Sequence, residues 1–230
     1  MSGARDEILG AIRKAVAAAP FNVGRGSGGV DKRLADHAHN LTPARGQLDR
    51  EGCVRLFKAE AERVSATVDR VKTAADVPGA IARYLSERNL PGDLRVAAHP
   101  AIRRVPWKDH PMLNVAEGLP RPDDQVSVTS AFLGVAETGS LVQVSGADTA
   151  NGLNLLPPTH IVVLSTDRIV GTYESAFQQL RAERIGKEKT GFMPRALTWI
   201  TGPSRTADLE QTLLLGAHGP QRLHIVVVDE

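Results

Sequence analysis

Glu137 lies in the segment Gly134-Val135-Ala136-Glu137-Thr138-Gly139-Ser140, directly before the apolar run Leu141-Val142-Gln143-Val144. The run reads as a strand, so Glu137 is expected at that strand's edge of the sheet. Gly139 would let backbone approach a ligand closely. A partly desolvated carboxylate in such a place serves as a nucleophile or a general base. The same carboxylate also suits a structural task, accepting backbone N–H bonds in a turn. Both readings stand, because ligand sites in α/β folds favour loops at strand ends. Thr138 and Gly139 belong to the same candidate site.

Two further loops could bind a ligand. Ser145–Asn154 is small, polar and glycine-bearing, and it lies between two apolar runs; its amides, with Asn151 or Asn154, are candidate ligand groups. It also suits a plain connection. Thr201-Gly202-Pro203-Ser204-Arg205-Thr206-Ala207-Asp208 joins an expected strand to an expected helix over Ala207–Leu215. Ser204 or Thr206 could cap that helix, and its free amides with Arg205 would form an anion-binding corner. Asp208 would favour the helix dipole yet repel a close anion. Gly216 is a natural helix stop, and His218 either reaches the crevice or complements the helix end. Ordinary capping is the competing reading. His160 opens an apolar run and reads as structural rather than catalytic.

Some patterns lack the context their chemistry needs. Gly24-Arg25-Gly26-Ser27-Gly28-Gly29 fits a dinucleotide fingerprint, but a helix and Pro20 precede it where a strand should. His37 and His39 could chelate a metal, but no further ligands accompany them, so no metal site is expected. Cys53 is the single cysteine. It cannot form an internal disulfide, nor alone hold an iron–sulfur cluster.

The elements that must position these residues follow from periodicity. Ile8, Ile12, Ala15, Val16 and Ala19 share one helical face, and residues 20–46 read as a connection without a sustained period. Helices are expected over 47–65, with Val54, Phe57, Ala61 and Val64 buried, and after Thr73 or Asp76. A further helix is expected over 172–185. Strands are expected at 66–71, 94–98, 140–145, 161–165, 197–201 and 223–228, and the proline-rich stretch 99–124 is expected to wrap the surface. Ile161–Leu164 and Ile225–Val228 are continuously apolar, which suits strands buried on both faces. Strands alternating with helices predict an α/β fold with a mostly parallel sheet flanked by helices. The expected organisation is an N-terminal helix and connection over 1–46, then one domain over 47–230.

Hydrophobic residues make up 42% of the 230 and charged residues 23%, an ordinary globular balance. The net charge of +2 is spread without a basic, aromatic-interleaved stripe, so nucleic acid is not an expected partner. No run approaches the roughly 18–20 apolar residues that span a bilayer. With no export signal, the cytoplasm is the expected compartment.

Taken in order, 134–142, 155–163, 201–210 and 215–220 resemble the LUD domain family, in its lactate utilisation protein C group. The second reads Leu-Leu-Pro-Pro-Thr-His-Ile-Val-Val, and the fourth is Leu-Gly-Ala-His-Gly-Pro. The resemblance covers roughly residues 50–230. It implies a fold related to the NagB/RpiA/CoA transferase superfamily. It also implies a part in oxidising L-lactate to pyruvate beside iron–sulfur partner proteins, which would carry the clusters; this chain is expected to bind no cofactor itself. The superfamily's glutamate nucleophile is similar in kind to Glu137-Thr138-Gly139. The alternatives are a ligand-binding or acyl/CoA-transfer-like enzyme using Glu137, or a lactate-responsive regulator. A small carboxylate or an acyl-CoA is the expected ligand.

Overall fold

A computed structural model describes residues 3–18, 29, 32, 35–36, 41–185, 192–207 and 213–229. The glycine-rich pattern before Gly29, His37, His39 and Asp208 lie outside the described residues. The chain divides into two units, Met1–Leu41 and Thr42–Glu230. In the first, α1 (Gly3–Ala18) forms the expected helix, and its apolar side chains Ile8, Leu9 and Ile12 are exposed. Among the described residues, no helix is long and apolar enough to cross a membrane.

The second unit is built on a six-stranded sheet in which every neighbouring pair is parallel. Its strands are β1 (Thr67–Val71), β2 (Asp93–Val96), β3 (Asn114–Glu117), β4 (Val126–Ser130), β7 (Thr159–Ser165) and β12 (Arg222–Val228), in the order β1-β12-β7-β4-β2-β3. A parallel sheet must be covered on both faces. The alternation along β7 and β12 shows how. Ile161, Val163, Val226 and Val228 join the core under one face, while Val162, Leu164, Ile225 and Val227 join the core under the other.

Each face has its helix. On the first, α3 (Val77–Glu87) buries Val77, Ala80, Ile81, Tyr84 and Leu85 at helical spacing, and its entry is fixed by a capping box between Thr73 and Asp76. On the second, α2 (Arg50–Arg63) buries Cys53, Val54, Phe57 and Ala61, and Asp49 caps it by accepting from the Gly52 N–H at 2.8 Å.

A second sheet, absent from the sequence reading, carries β8 (Ile169–Val170), β5 (Leu133–Val135), β6 (Ser140–Val144) and β9 (Leu197–Ile200), in that order. The strand containing Gln143 is therefore not part of the parallel sheet. Leu133, Val135 and Val142 pack with Ala176 of α5 (Tyr173–Arg184), while Leu141 and Ala136 join the core around α2.

Two expectations are corrected. Residues 99–124 do not simply wrap the surface: they form the short helix α4 (Pro100–Arg103) and the edge strand β3, which pairs with β2. Ala207–Leu215 is not a helix at its described ends. β10 (Arg205–Ala207) and β11 (Leu213–Leu215) form an antiparallel pair instead, so cross-strand pairing overrides a run of good helix formers.

Candidate functional site

In the parallel sheet, the chain leaves β2 towards β3 on one side and leaves β4 towards β7 on the other. Adjacent strands whose connections diverge open a crevice outside their carboxyl ends, where open α/β sheets bind ligands. His99, just past β2, and Ser130, the last residue of β4, meet there with Nδ1 and Oγ 2.7 Å apart. Both line two adjoining cavities of about 200 and 340 Å³.

His99 is fixed by its position as the N-cap of α4, where Nδ1 also accepts from the Ala101 N–H at 3.3 Å. A nitrogen that accepts from a backbone amide carries a lone pair, so the neutral ring holds its proton on Nε2 and the Ser130 hydroxyl donates to Nδ1. Burial pushes the His99 pKa below its ordinary range. Asp148 opposes the shift, and the Arg104 and Arg168 guanidiniums reinforce it. His99 is thus a neutral base at neutral pH, in contact with a serine hydroxyl.

The walls supply charge and polarity. Arg104 and Arg168 line the larger cavity, and among the described residues no carboxylate does. Arg168 is paired to Glu183 at 2.6 Å, whereas Arg104 pairs with no carboxylate among the described residues. Asp148, Thr149 and Gln143 line the smaller cavity. From Gln143 a hydrogen-bond chain enters the core: its amide donates to Thr129 Oγ1 at 3.2 Å, which lies 2.8 Å from His160 Nε2. His160 is fully buried and burial pushes its pKa down to about 3. A base, a hydroxyl and a flanking cation together can bind a carboxylate-bearing ligand and receive a proton from it.

The residues singled out from the sequence fall into three other places. Glu137 is buried, and its Oε1 accepts from the Tyr173 N–H at 2.9 Å at the start of α5. Thr138 Oγ1 lies 2.8 Å from Ser140 Oγ and 3.0 Å from the Tyr173 hydroxyl. Gly139, at φ 64°, approaches helix α2 rather than a crevice: a Cβ there would sit 2.6 Å from Ala61 Cα. None of these lines the two cavities. The loop 145–149 does reach the crevice, but Asn151 and Asn154 turn to each other, 3.3 Å apart, and Asn151 Oδ1 also accepts from Thr198 at 3.2 Å.

Gly202, Ser204, Arg205, Thr206 and His218 gather elsewhere. Gly202, at φ 80°, lies against Val64, and Arg205 donates to the Val64 carbonyl at 3.0 Å and to Ser65 Oγ. Ser204 closes the hairpin: its carbonyl accepts from the Gly216 N–H at 3.0 Å and its Oγ from the His218 N–H at 3.4 Å. Thr206 pairs with Leu214 in β10–β11, and His218 is exposed. Arg205 lines a cavity with Thr67 and Arg222, the first residues of β1 and β12, so this corner lies at the amino ends of the parallel strands. The helix whose amides were to bind an anion there is replaced by the strand pair.

His99 and Ser130 were missed. The signal available was position: a histidine after a predicted strand, and a hydroxyl closing an apolar run.

The family described as "LUD domain" matches residues 123–228. "Lactate utilization protein C" of Deinococcus radiodurans is 35% identical over 166 residues, covering 68% of this chain and 70% of that protein. The chain belongs to the LUD domain family. A further "Lactate utilization protein C", from Geobacillus kaustophilus, is 30% identical over 69% of this chain and 71% of its own length. A crystal structure of a DUF162 family protein from Deinococcus radiodurans aligns with a TM-score of 0.58 and 25% identity, over 79% of this chain and 99% of that one. Within the LUD match fall Ser130, Gln143, Asp148 and Arg168; His99 and Arg104 lie before it.

Proposed function

We propose that this LUD domain protein serves in lactate utilisation, as a carboxylate-binding component of a system that converts L-lactate to pyruvate with iron–sulfur partner proteins. The observation that carries this reading is the His99–Ser130 contact in a crevice flanked by Arg104 and Arg168. It is supported by the relatives named for lactate utilisation.

L-Lactate offers a carboxylate beside a hydroxyl. A guanidinium holds the first, and the second gives its proton to Ser130 Oγ as the Ser130 hydroxyl proton passes to His99 Nδ1. Oxidation to pyruvate releases two electrons and two protons. His99 takes the hydroxyl proton; the C2 hydrogen and both electrons would leave to an acceptor on the iron–sulfur partner proteins, since the chain's single cysteine, Cys53, cannot alone hold a cluster.

The test is growth on L-lactate of a strain lacking the protein, complemented with wild type or with Ser130→Ala at matched, folded protein levels. Rescue by wild type and failure of Ser130→Ala supports the reading. Equal rescue transfers support to an assembly role that does not need the crevice. Failure of wild type removes the chain from lactate use.

A further inference from the structure

At the opposite edge of the sheet from His99 and Ser130, a cavity of about 450 Å³ opens at the amino ends of β1 and β12. Three arginines line it: Arg88 from the end of α3, Arg205 from β10 and Arg222 from the start of β12. No carboxylate lines this cavity, and none of the three is ion-paired with a carboxylate among the described residues. Arg205 is anchored by two uncharged acceptors, the Val64 carbonyl and Ser65 Oγ, which fix the guanidinium without neutralising it. Arg88 lies 5.8 Å over the Tyr84 ring. Three guanidiniums around one concavity that no carboxylate lines among the described residues repel one another, and an anion relieves that repulsion.

The remaining walls are not those of a simple ion site. Pro203, Leu215 and Leu223 supply an apolar side. An adjoining cavity of about 240 Å³ shares Thr67, Tyr84 and Arg88; the carboxylates Glu62, Asp69 and Glu87 line it with Arg83 and with His224, which is 1% exposed and stacked on Tyr84 at 4.0 Å. Nδ1 of His224 meets Thr67 Oγ1 at 2.9 Å, while Nε2, buried, has no hydrogen-bond partner among the described residues.

We propose that this amino-terminal edge is a second ligand site, for an organic phosphate whose multiply charged group sits among Arg88, Arg205 and Arg222 and whose organic part lies along Pro203, Leu215 and Leu223. Arginine's planar donor fork matches phosphate oxygens, and three guanidiniums suit more charge than one carboxylate carries. The site is separate from the crevice, so it stands or falls independently of the lactate reading.

The test is titration calorimetry of the full-length protein at low salt, with ADP and with inorganic pyrophosphate as probes. The panel is wild type, Arg88→Gln with Arg222→Gln, and Ser130→Ala. Arg88 and Arg222 form no ion pair with a carboxylate among the described residues, so this double variant should keep the fold, which circular dichroism verifies. The expected result is saturable binding of ADP, tighter than pyrophosphate, weakened about tenfold or more by the double variant and unchanged by Ser130→Ala. No binding of either probe up to about 1 mM, or equal affinity in the double variant, overturns the proposal. Pyrophosphate binding as tightly as ADP overturns the assignment of the apolar wall to an organic part.

Discussion

Nδ1 of His99 and Oγ of Ser130, separated by 31 residues of sequence, lie 2.7 Å apart because β2 and β4 are neighbours in the parallel sheet. That contact sits where the chain turns in opposite directions from adjacent strands. The cation-lined crevice beside it offers a carboxylate ligand both a counter-charge and a base.

Arg104 pairs with no carboxylate among the described residues, so Arg104→Ala should weaken pyruvate and L-lactate binding by about tenfold, the scale of one charge-assisted bond. Arg168→Ala should do less harm per charge lost, because Glu183 already neutralises Arg168. Titration calorimetry on both variants checks the order; an equal or reversed order contradicts it.

Glu137 accepts from the first turn of α5, where a negative carboxylate also favours the helix dipole. Glu137→Ala should cost roughly 1–2 kcal/mol in urea unfolding, and Glu137→Gln, which keeps an acceptor, should cost less. Growth on lactate should track the stability of the two variants. Complete loss of growth from a fully stable Glu137→Gln protein would instead restore a chemical role for this carboxylate.

Gly139 combines a left-handed backbone with the close approach of α2. Gly139→Ala should destabilise by about 2–3 kcal/mol or more, since strain and overpacking add. A thermal melt close to that of wild type would show that the turn and helix can separate at little cost.

How much of this was legible in the sequence depends on the range of the interaction. Helices α2 and α3 carry their buried stripes and caps locally, and β7 and β12 show burial on both faces as unbroken apolar runs. β3 was hidden because its residues are mostly exposed and surrounded by prolines, and its pairing to β2 is non-local. The pairing of Arg205–Ala207 with Leu213–Leu215 was hidden for the opposite reason: leucines before a glycine read equally as a helix and its stop. Gly216 does adopt a positive φ of 83°, but it closes a strand pair. Glu137 was legible as a special residue, its acceptor role included, but its distance from the crevice was not. His99 and Ser130 could be joined only by knowing the strand order.

Stability should fall in acid for a traceable reason. Burial pushes His160 down to about 3 and His224 to about 4, against an ordinary value of 6.5. The unfolded chain therefore binds more protons than the folded one, and stability is lost as pH falls from about 6.5 towards 4 and below. His224→Phe keeps a ring against Tyr84 but removes the titration, so the gap between wild type and variant should narrow as pH drops through this window. Urea midpoints at pH 7 and pH 4.5 measure it; a gap that widens contradicts the assignment.

The central claim is tested most directly by calorimetric titration of L-lactate and pyruvate into wild type, His99→Gln and Ser130→Ala, each confirmed as folded. The account predicts binding to wild type that is strongly weakened in both variants. Equal affinity in all three proteins, or no binding of either acid to wild type, would contradict it.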